Sequence, residues 1–352
     1  MNILKGQNIM TTVQNYDIKL DFDDVLIQPR ISKTTLTRAD ININVDYEYF
    51  KGVPLVITEM VSTGTYDMAR AVEGSDIITF IHKEHTVEEH LKNLMTINDL
   101  SKIGLTTGCH PGDINKLTSV LDIIEVGFIN IHIANTYANT KGLVNVISKL
   151  KKRYPHIPIV AGVVATTDMV EFLAKAGADI IRVGIGSGSA CRTRTEVGVG
   201  IPQLSALMEC SEVADKFNVR IMSCGGITNA GDVCKAMGAG ADFVILGGII
   251  SNSKECSNII EVDGKSYVNF YGLGSAKQYS KHGISDKEYR PDEGRNLMVP
   301  VTGSVHEVLN QIKGALRSVC TYVGASSINE LSSHTEFVRV NNTHNRSLEK
   351  YG

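Results

Sequence analysis

The densest group of reactive residue types is Val183-Gly-Ile-Gly-Ser-Gly-Ser-Ala-Cys-Arg-Thr-Arg194. Three alternate glycines there let backbone approach a ligand closely and aim carbonyls or amides inward. Cys191 follows, bracketed by Arg192 and Arg194. Nearby cationic charge lowers a thiol pKa and favours the nucleophilic thiolate, although a flexible loop around a buried thiol would need the same residues. Ser223-Cys-Gly-Gly226 and Leu246-Gly-Gly248 add paired glycines after two further apolar runs. Backbone N–H groups in such turns meet phosphate at a helix N-terminus, and tight turns alone are the plain alternative. Two pairs at neighbouring strand ends predict a phosphate monoester site.

These loops need a frame, and the frame is repetitive. Val53–Thr58, Asp76–Ile81, Ile103–Thr107, Phe128–Ile133, Ile157–Val164, Asp179–Gly184, Val219–Cys224 and Phe243–Leu246 are short, continuous apolar runs. Continuity rather than alternation is expected of parallel strands covered on both faces. Amphipathic stretches lie between them at Val87–Met95, Leu143–Lys152, Thr167–Ala176, Pro202–Phe217 and Ala230–Met237. Eight such units predict an α/β fold, a single (β/α)8 TIM barrel with its active site at the C-terminal strand ends. A doubly wound sheet is the rival, but no early Gly-rich fingerprint supports it. Ala176-Gly-Ala-Asp179 recurs as Ala239-Gly-Ala-Asp242. Each reads as a helix ending at Gly just before a strand.

Residues 1–50 read as an N-terminal extension. Residues 251–303 read as an insertion after the eighth strand, with a hairpin turn at Val262-Asp-Gly-Lys265. Val305–Val319 is the closing helix, and 328–352 a polar, partly disordered tail. No linker divides the 352 residues, so 1–352 is expected to form one domain. Lys plus Arg number 35 against 38 Asp plus Glu, which gives no general attraction to nucleic acid or anionic membrane. Seven scattered cysteines without a CxxC pair predict neither a disulfide framework nor a zinc site. With no apolar signal core or membrane-length run, the expectation is a soluble, cytoplasmic protein.

Phe22-Asp-Asp-Val-Leu-Ile-Gln-Pro29, Gly184–Arg194, Gly198-Val-Gly-Ile-Pro-Gln203, Gly238-Ala-Gly-Ala-Asp-Phe-Val244, Tyr271-Gly-Leu-Gly-Ser275 and Cys320-Thr-Tyr-Val-Gly324 carry a resemblance. Together they resemble the inosine-5′-monophosphate dehydrogenase / GMP reductase family over nearly the whole chain. Within it the chain is similar to the reductases. There is no room for the dehydrogenase's usual regulatory insert, and Gly272 to Glu293 is too short for its mobile flap. Tyr289-Arg-Pro-Asp-Glu-Gly294 and Cys320-Thr-Tyr322 also fit the reductase pattern better.

The resemblance implies that Cys191 attacks C2 of the purine of a nucleoside monophosphate, expelling ammonia to leave a covalent thioimidate. Thr193 and Glu293 would move the proton that makes ammonia a viable leaving group. NADPH would reduce the adduct to the inosine nucleotide. Substrate contacts are implied at Ser189, Cys224, Gly225, Gly226, Gly247, Gly248, Gly272, Leu273, Gly274, Ser275, Arg290, Asp292 and Gly294. Cofactor contacts are implied at Thr37, Arg38, Lys83, His132, Ile133, Ala134, Ile185 and Gly186, with Ser318, Val319, Cys320 and Thr321 supplied by a neighbouring subunit of a homotetramer. A monovalent cation, K+, would bind carbonyls of Gly186, Gly188 and Arg194.

The chain also departs from that family. Where the family carries an Asp that accepts from the ribose hydroxyls, this sequence has Cys224, and a thiol is a weak acceptor. His132 replaces an Asp at the fourth strand end. Glu59-Met-Val61 replaces Asn-Met-Asp after the first strand, and Gly162-Val-Val164 replaces Gly-Asn-Val after the fifth. Arg192 and Asp292 are further changes. The covalent machinery is kept while the recognition residues change, which points to altered substrate choice. Loss of the acceptor at 224 relaxes rejection of a sugar lacking a hydroxyl, so dGMP is an expected substrate beside GMP. A dehydrogenase, a non-catalytic nucleotide-binding barrel and a flavin-dependent barrel oxidase are the alternatives.

Overall fold

The computed structural model describes residues 18–32, 35–272, 274–275 and 291–341. A short strand β1 (Val25–Ile27) and a hairpin of β2 (Val45–Tyr47) and β3 (Phe50–Gly52) come first. Eight parallel strands follow: β4 (Leu55–Ile57), β5 (Ile78–Ile81), β6 (Ile103–Thr107), β7 (Phe128–His132), β8 (Ile159–Val164), β9 (Ile180–Val183), β10 (Arg220–Cys224) and β11 (Phe243–Leu246). They pair in chain order and β11 returns to β4, so the barrel is closed. Each of the eight apolar runs contains one of these strands. Every residue of β4, β5, β6, β9 and β11 is buried, which accounts for runs without alternation.

Among the described residues the α-helices are α1 (Tyr66–Ala71), α2 (Val87–Leu94), α3 (Pro111–Leu121), α4 (Thr140–Arg153), α5 (Thr167–Ala176), α6 (Thr193–Glu196), α7 (Gln203–Phe217), α8 (Ala230–Gly238), α9 (Val305–Val323) and α10 (Leu331–His334). The amphipathic stretches do not include α1, α3 or the single-turn helices α6 and α10. Helix α1 has only six residues, too few for a period to show. Helix α3 had legible marks: His110 as N-cap, Pro111 at the first turn, and buried Leu117, Val120 and Leu121.

The repeated Ala-Gly-Ala-Asp turns do one structural task twice. Asp179 accepts the Ile159 N–H at 2.7 Å and pairs with Lys151, and Asp242 accepts the Ile221 N–H at 2.8 Å and pairs with Arg220. Each carboxylate thus satisfies an N–H at the start of the preceding barrel strand, the first of β8 and the second of β10. The β2–β3 hairpin plugs the N-terminal end of the barrel: Phe50 meets Phe243 and Phe128, and Tyr47 meets Phe243.

After β11 the expected hairpin forms between β12 (Ile259–Val262) and β13 (Lys265–Tyr271), and β14 (Asn296–Pro300) joins as a third strand. The tail expectation needs correction, because residues from Ile328 to Arg339 are built into the fold. Leu331 is fully buried, and β15 (Phe337–Arg339) pairs antiparallel with β1. An edge strand needs a partner for its backbone groups, and the supposed tail supplies one. Residues 342–352 lie outside the described residues. All seven cysteines are free. Among the described residues no helix is long and apolar enough to cross a membrane.

Candidate active site

Strand β9 stops at Val183, and the loop after it turns through Cys191 into α6. The loop is held by itself and by a distant segment. Cys191 N donates to Gly188 O at 2.9 Å, Arg192 N to Glu293 O at 2.7 Å and Arg295 N to Ala190 O at 2.9 Å. Residues 190–192 and 293–295 are therefore stitched antiparallel by backbone alone, with Cys191 opposite Gly294. This brings the three residues expected to be catalytic together. Cys191 Sγ lies 3.2 Å from Thr193 Oγ1, which donates to Glu293 Oε2 at 2.7 Å. A threonine hydroxyl has one proton. Since that proton is directed at Glu293, the oxygen is left to accept from the thiol, and a continuous proton path joins sulfur to carboxylate.

Each of the two arginines beside the thiol is paired with a carboxylate. Arg192 is exposed and pairs with Glu196. Arg194 Nη1 donates to Asp21 Oδ2 at 2.6 Å, and Nη2 to Ile201 O at 2.9 Å. Both guanidinium groups are committed to carboxylates, and the group in contact with Cys191 is Thr193. Asp21 and Gln203 are supporting residues that the sequence reading missed. Asp21 also accepts from Gln203 N. Buried Gln203 accepts from Ser187 Oγ at 2.8 Å and donates to Val183 O at 2.8 Å, tying the loop to the strand that carries it. Asp21 stands immediately before the quoted Phe22 motif, and Gln203 ends another. Their polar type inside matched motifs was the available clue.

The paired glycines converge on the same loop. Gly226 N donates to Ser187 O at 2.8 Å. At Gly225, with φ of +100°, a Cβ would sit 2.9 Å from Gly188 N, so only glycine fits between strand end and loop. Gly248 lies under Ser189 Oγ, Gly272 beside Ala190 O, and Gly294 against Ser275 N, with Gly274 next to it. Gly247 closes the end of β11 over Thr58. Asp292 Oδ1 accepts from Gly294 N at 3.3 Å. Leu273 and Arg290 lie outside the described residues. Gly184 supports the loop from below: at φ of +145° a Cβ would meet the Cys224 carbonyl oxygen and stand 2.6 Å from Gln203 Oε1. Gly184→Ala is expected to cost on the order of 3 kcal/mol, read as a lowered urea midpoint. An unchanged midpoint would show that the loop has slack.

Three of the positions that depart from the family pattern meet around one buried cation. Arg182 points into the barrel at 1% exposure and Glu59 is 3% exposed. Arg182 Nη1 donates to Glu59 Oε1 at 2.8 Å and to Asn130 Oδ1 at 3.1 Å, and Nη2 to Cys224 Sγ at 3.2 Å. His132 Nδ1 also faces the Glu59 carboxylate. Burial pushes the Glu59 carboxyl up, but Arg182 and His132 outweigh it and hold it below the usual carboxylate range. Burial lowers the His132 imidazole from its ordinary value, against the opposing pull of Glu59. Removing one partner of such a buried pair costs about 3–5 kcal/mol. An arginine inside the apolar run Ile180-Ile-Arg-Val183 was the sequence mark of this cluster.

The expected cofactor residues fall into two groups. Lys83 follows β5, His132 ends β7 with Ile133 and Ala134 after it, and Ile185 and Gly186 follow β9, all at the end of the barrel that holds Cys191. Lys83 Nζ pairs with Asp113 at 2.9 Å, and its loop rests on stacked His82 and His85. Thr37 and Arg38 are not with them. Thr37 is turned to Asp40 just before Ile41, whose carbonyl accepts from Arg317 at 2.5 Å. Ser318–Thr321 follow on that same helix. One turn earlier, Lys313 reaches the Ser75 carbonyl at the N-terminal end of the barrel. Within one subunit, Thr37, Arg38 and Ser318–Thr321 therefore gather away from Cys191.

Comparison with known proteins agrees with this architecture. Residues 19–349 match the family described as IMP dehydrogenase / GMP reductase domain. The chain is 39% identical to GMP reductase of Ascaris suum over 348 residues, 96% of this chain and 97% of the relative. It is 40% identical to GMP reductase of Shewanella halifaxensis over 344 residues (95% and 98%) and 39% identical to GMP reductase 1 of Homo sapiens over 340 residues (94% and 97%).

Proposed function

The chain belongs to the IMP dehydrogenase / GMP reductase family, and on that premise we propose that it is an NADPH-dependent reductase of a guanine nucleotide. It releases ammonia and the inosine nucleotide. The observation that carries this reading is the Cys191–Thr193–Glu293 path, one proton long at each link. Cys191 Sγ adds to C2 as its proton passes to Thr193 Oγ1 and the threonine's own proton passes to Glu293. Glu293 returns a proton through Thr193 to the exocyclic nitrogen, ammonia leaves, and the purine stays on sulfur as a thioimidate. Protonation is needed because amide anion is far too basic to depart. When bound, NADPH supplies the hydride that C2 requires. Cys191 leaves C2 as the thiolate when the C2–S bond breaks and takes up a fresh proton from solvent, since the one it gave up departed with ammonia.

Gly225, Gly247 and Gly248 would present backbone N–H groups to the phosphate, while Gly226 shapes the turn with its own N–H bonded to Ser187 O. Ser189, Gly272, Gly274, Ser275, Asp292 and Gly294 enclose the rest of the nucleotide, with Leu273 and Arg290. Lys83, His132, Ile133, Ala134, Ile185 and Gly186 would border the nicotinamide end of the cofactor. Lys83 offers a cation, shared with Asp113, and Ala134 is exposed there. Thr37, Arg38 and Ser318–Thr321 would serve a neighbouring subunit's site, which makes a homotetramer the functional unit in the cytoplasm. K+ on carbonyls of Gly186, Gly188 and Arg194 would stiffen the Cys191 loop.

The sugar is the point of difference. Cys224 stands beside the glycine pair at the end of β10, where a weakly accepting sulfur replaces a charged acceptor. We take the enzyme to accept dGMP at least as well as GMP. Steady-state kinetics with GMP and dGMP, following NADPH loss and ammonia release, are expected to give kcat/KM for dGMP equal to or above that for GMP. A preference for GMP beyond about tenfold sinks the deoxynucleotide reading. Ammonia from neither nucleotide sinks the reductase reading itself.

A further inference from the structure

Arg182 joins four strand ends. Its guanidinium reaches Glu59 after β4, Asn130 on β7 and Cys224 on β10, from its own place on β9. We infer that Arg182 is a specificity-determining positioning residue: besides Asn130 Oδ1, it takes up the Glu59 carboxylate and the Cys224 sulfur at this corner of the barrel mouth, so that a nucleotide sugar finds no charged acceptor there. The inference rests on the reading that Cys224 borders the sugar of a bound nucleoside monophosphate.

Geometry and charge both support it. A guanidinium is a planar fork whose N–H groups can hold two partners at once, and here Nη1 and Nη2 are divided between residues 59 and 224. Glu59 is the only carboxylate among the described residues that contacts Arg182, and it is buried and already satisfied by Arg182 and His132. It has no spare charge to offer a hydroxyl. Cys224 is half-buried, its sulfur accepts from Arg182, and its carbonyl oxygen lies 3.3 Å from Ser187 Oγ in the Cys191 loop. Position 224 is therefore in the site while its side chain is turned to the barrel interior.

A consequence follows that a simple loss of an acceptor does not give. A carboxylate placed at 224 would lie against the same guanidinium and be claimed by it. Lysine at 182 carries one compact charge and cannot fork between residues 59 and 224. Residue 182 thus decides whether an acceptor at 224 is available to a ligand hydroxyl.

The test is a double-mutant cycle on the full-length protein, with kcat/KM for GMP and dGMP and calorimetric binding of both nucleotides to each variant. Cys224→Asp alone is expected to move the GMP-to-dGMP ratio by less than about threefold. The same substitution in an Arg182→Lys background is expected to move it towards GMP by about tenfold or more. A shift of equal size in both backgrounds overturns the inference, because residue 224 then acts by itself. Should Arg182→Lys not fold, Glu59→Gln/Arg182→Met removes both charges together and replaces it in the same cycle. Failure of every variant and of the parent protein to bind or turn over either nucleotide overturns the proposed function, and this inference falls with it.

Discussion

Cys191→Ala is expected to lower turnover of a guanine nucleotide by on the order of 10⁴-fold or more, with nucleotide binding retained. The size follows from what the sulfur does. Direct hydride delivery to C2 of intact guanine would have to expel an amine from a ring that resists addition. Addition of a thiolate divides that step into two easier ones. Alanine removes the nucleophile and nothing structural, because Cys191 is anchored through its backbone N–H to Gly188 O and the adjoining segment through Arg192 N and Ala190 O. Stopped reactions without NADPH provide a second check. Peptide mass mapping should find the purine on the peptide containing Cys191 in the parent protein and nowhere in the alanine variant. Activity above about one per cent of the parent would remove Cys191 from the reaction.

The second large effect belongs to Glu293→Gln, expected to reduce turnover by about 10²–10⁴-fold. Glutamine keeps the shape and an oxygen that can still accept from Thr193 Oγ1, but it cannot take a proton and give it back. The stitch to the Cys191 loop survives, since Arg192 bonds to the backbone oxygen of residue 293 and not to its side chain. Thr193→Val breaks the same path at its middle, while Thr193→Ser preserves the hydroxyl and should keep most of the activity. Because the two residues act in series, Thr193→Val/Glu293→Gln should be little worse than either alone. A double variant showing the product of the two single losses would mean that they move different protons.

How much of this could be read beforehand differs between backbone and side chains. The eight barrel strands were legible because both faces are covered, which writes each one as an unbroken apolar run. The Cys191–Thr193–Glu293 group was legible only through a matched motif, since 293 reaches 191 by a three-stranded excursion whose closing strand β14 left no periodic mark. The partners of Arg192 and Arg194 were not legible, because adjacency in sequence says nothing about which carboxylate a long side chain will find. Glu59, His132 and Cys224 were each visible as departures, but their common cause was not. Only the fold shows that Arg182 faces the interior and lies between them. Helix α1 was too short, and β15 looked like a tail because its partner β1 stands some three hundred residues away.

That last pairing has a consequence for the order in which the molecule can be completed. Val25–Ile27 leave the ribosome early and wait for Phe337–Arg339, which arrive when nearly everything between has been made. Val340 N then bonds to Asp24 O, three residues from the Asp21 that holds Arg194 and Gln203. A nascent chain that already contains Cys191 therefore lacks the clasp behind its loop. Such long-separated contacts are the slow ones to form. The strand that leads out of the Asp21 anchor therefore gains its partner only after the whole barrel has been synthesised, so this clasp closes late in folding.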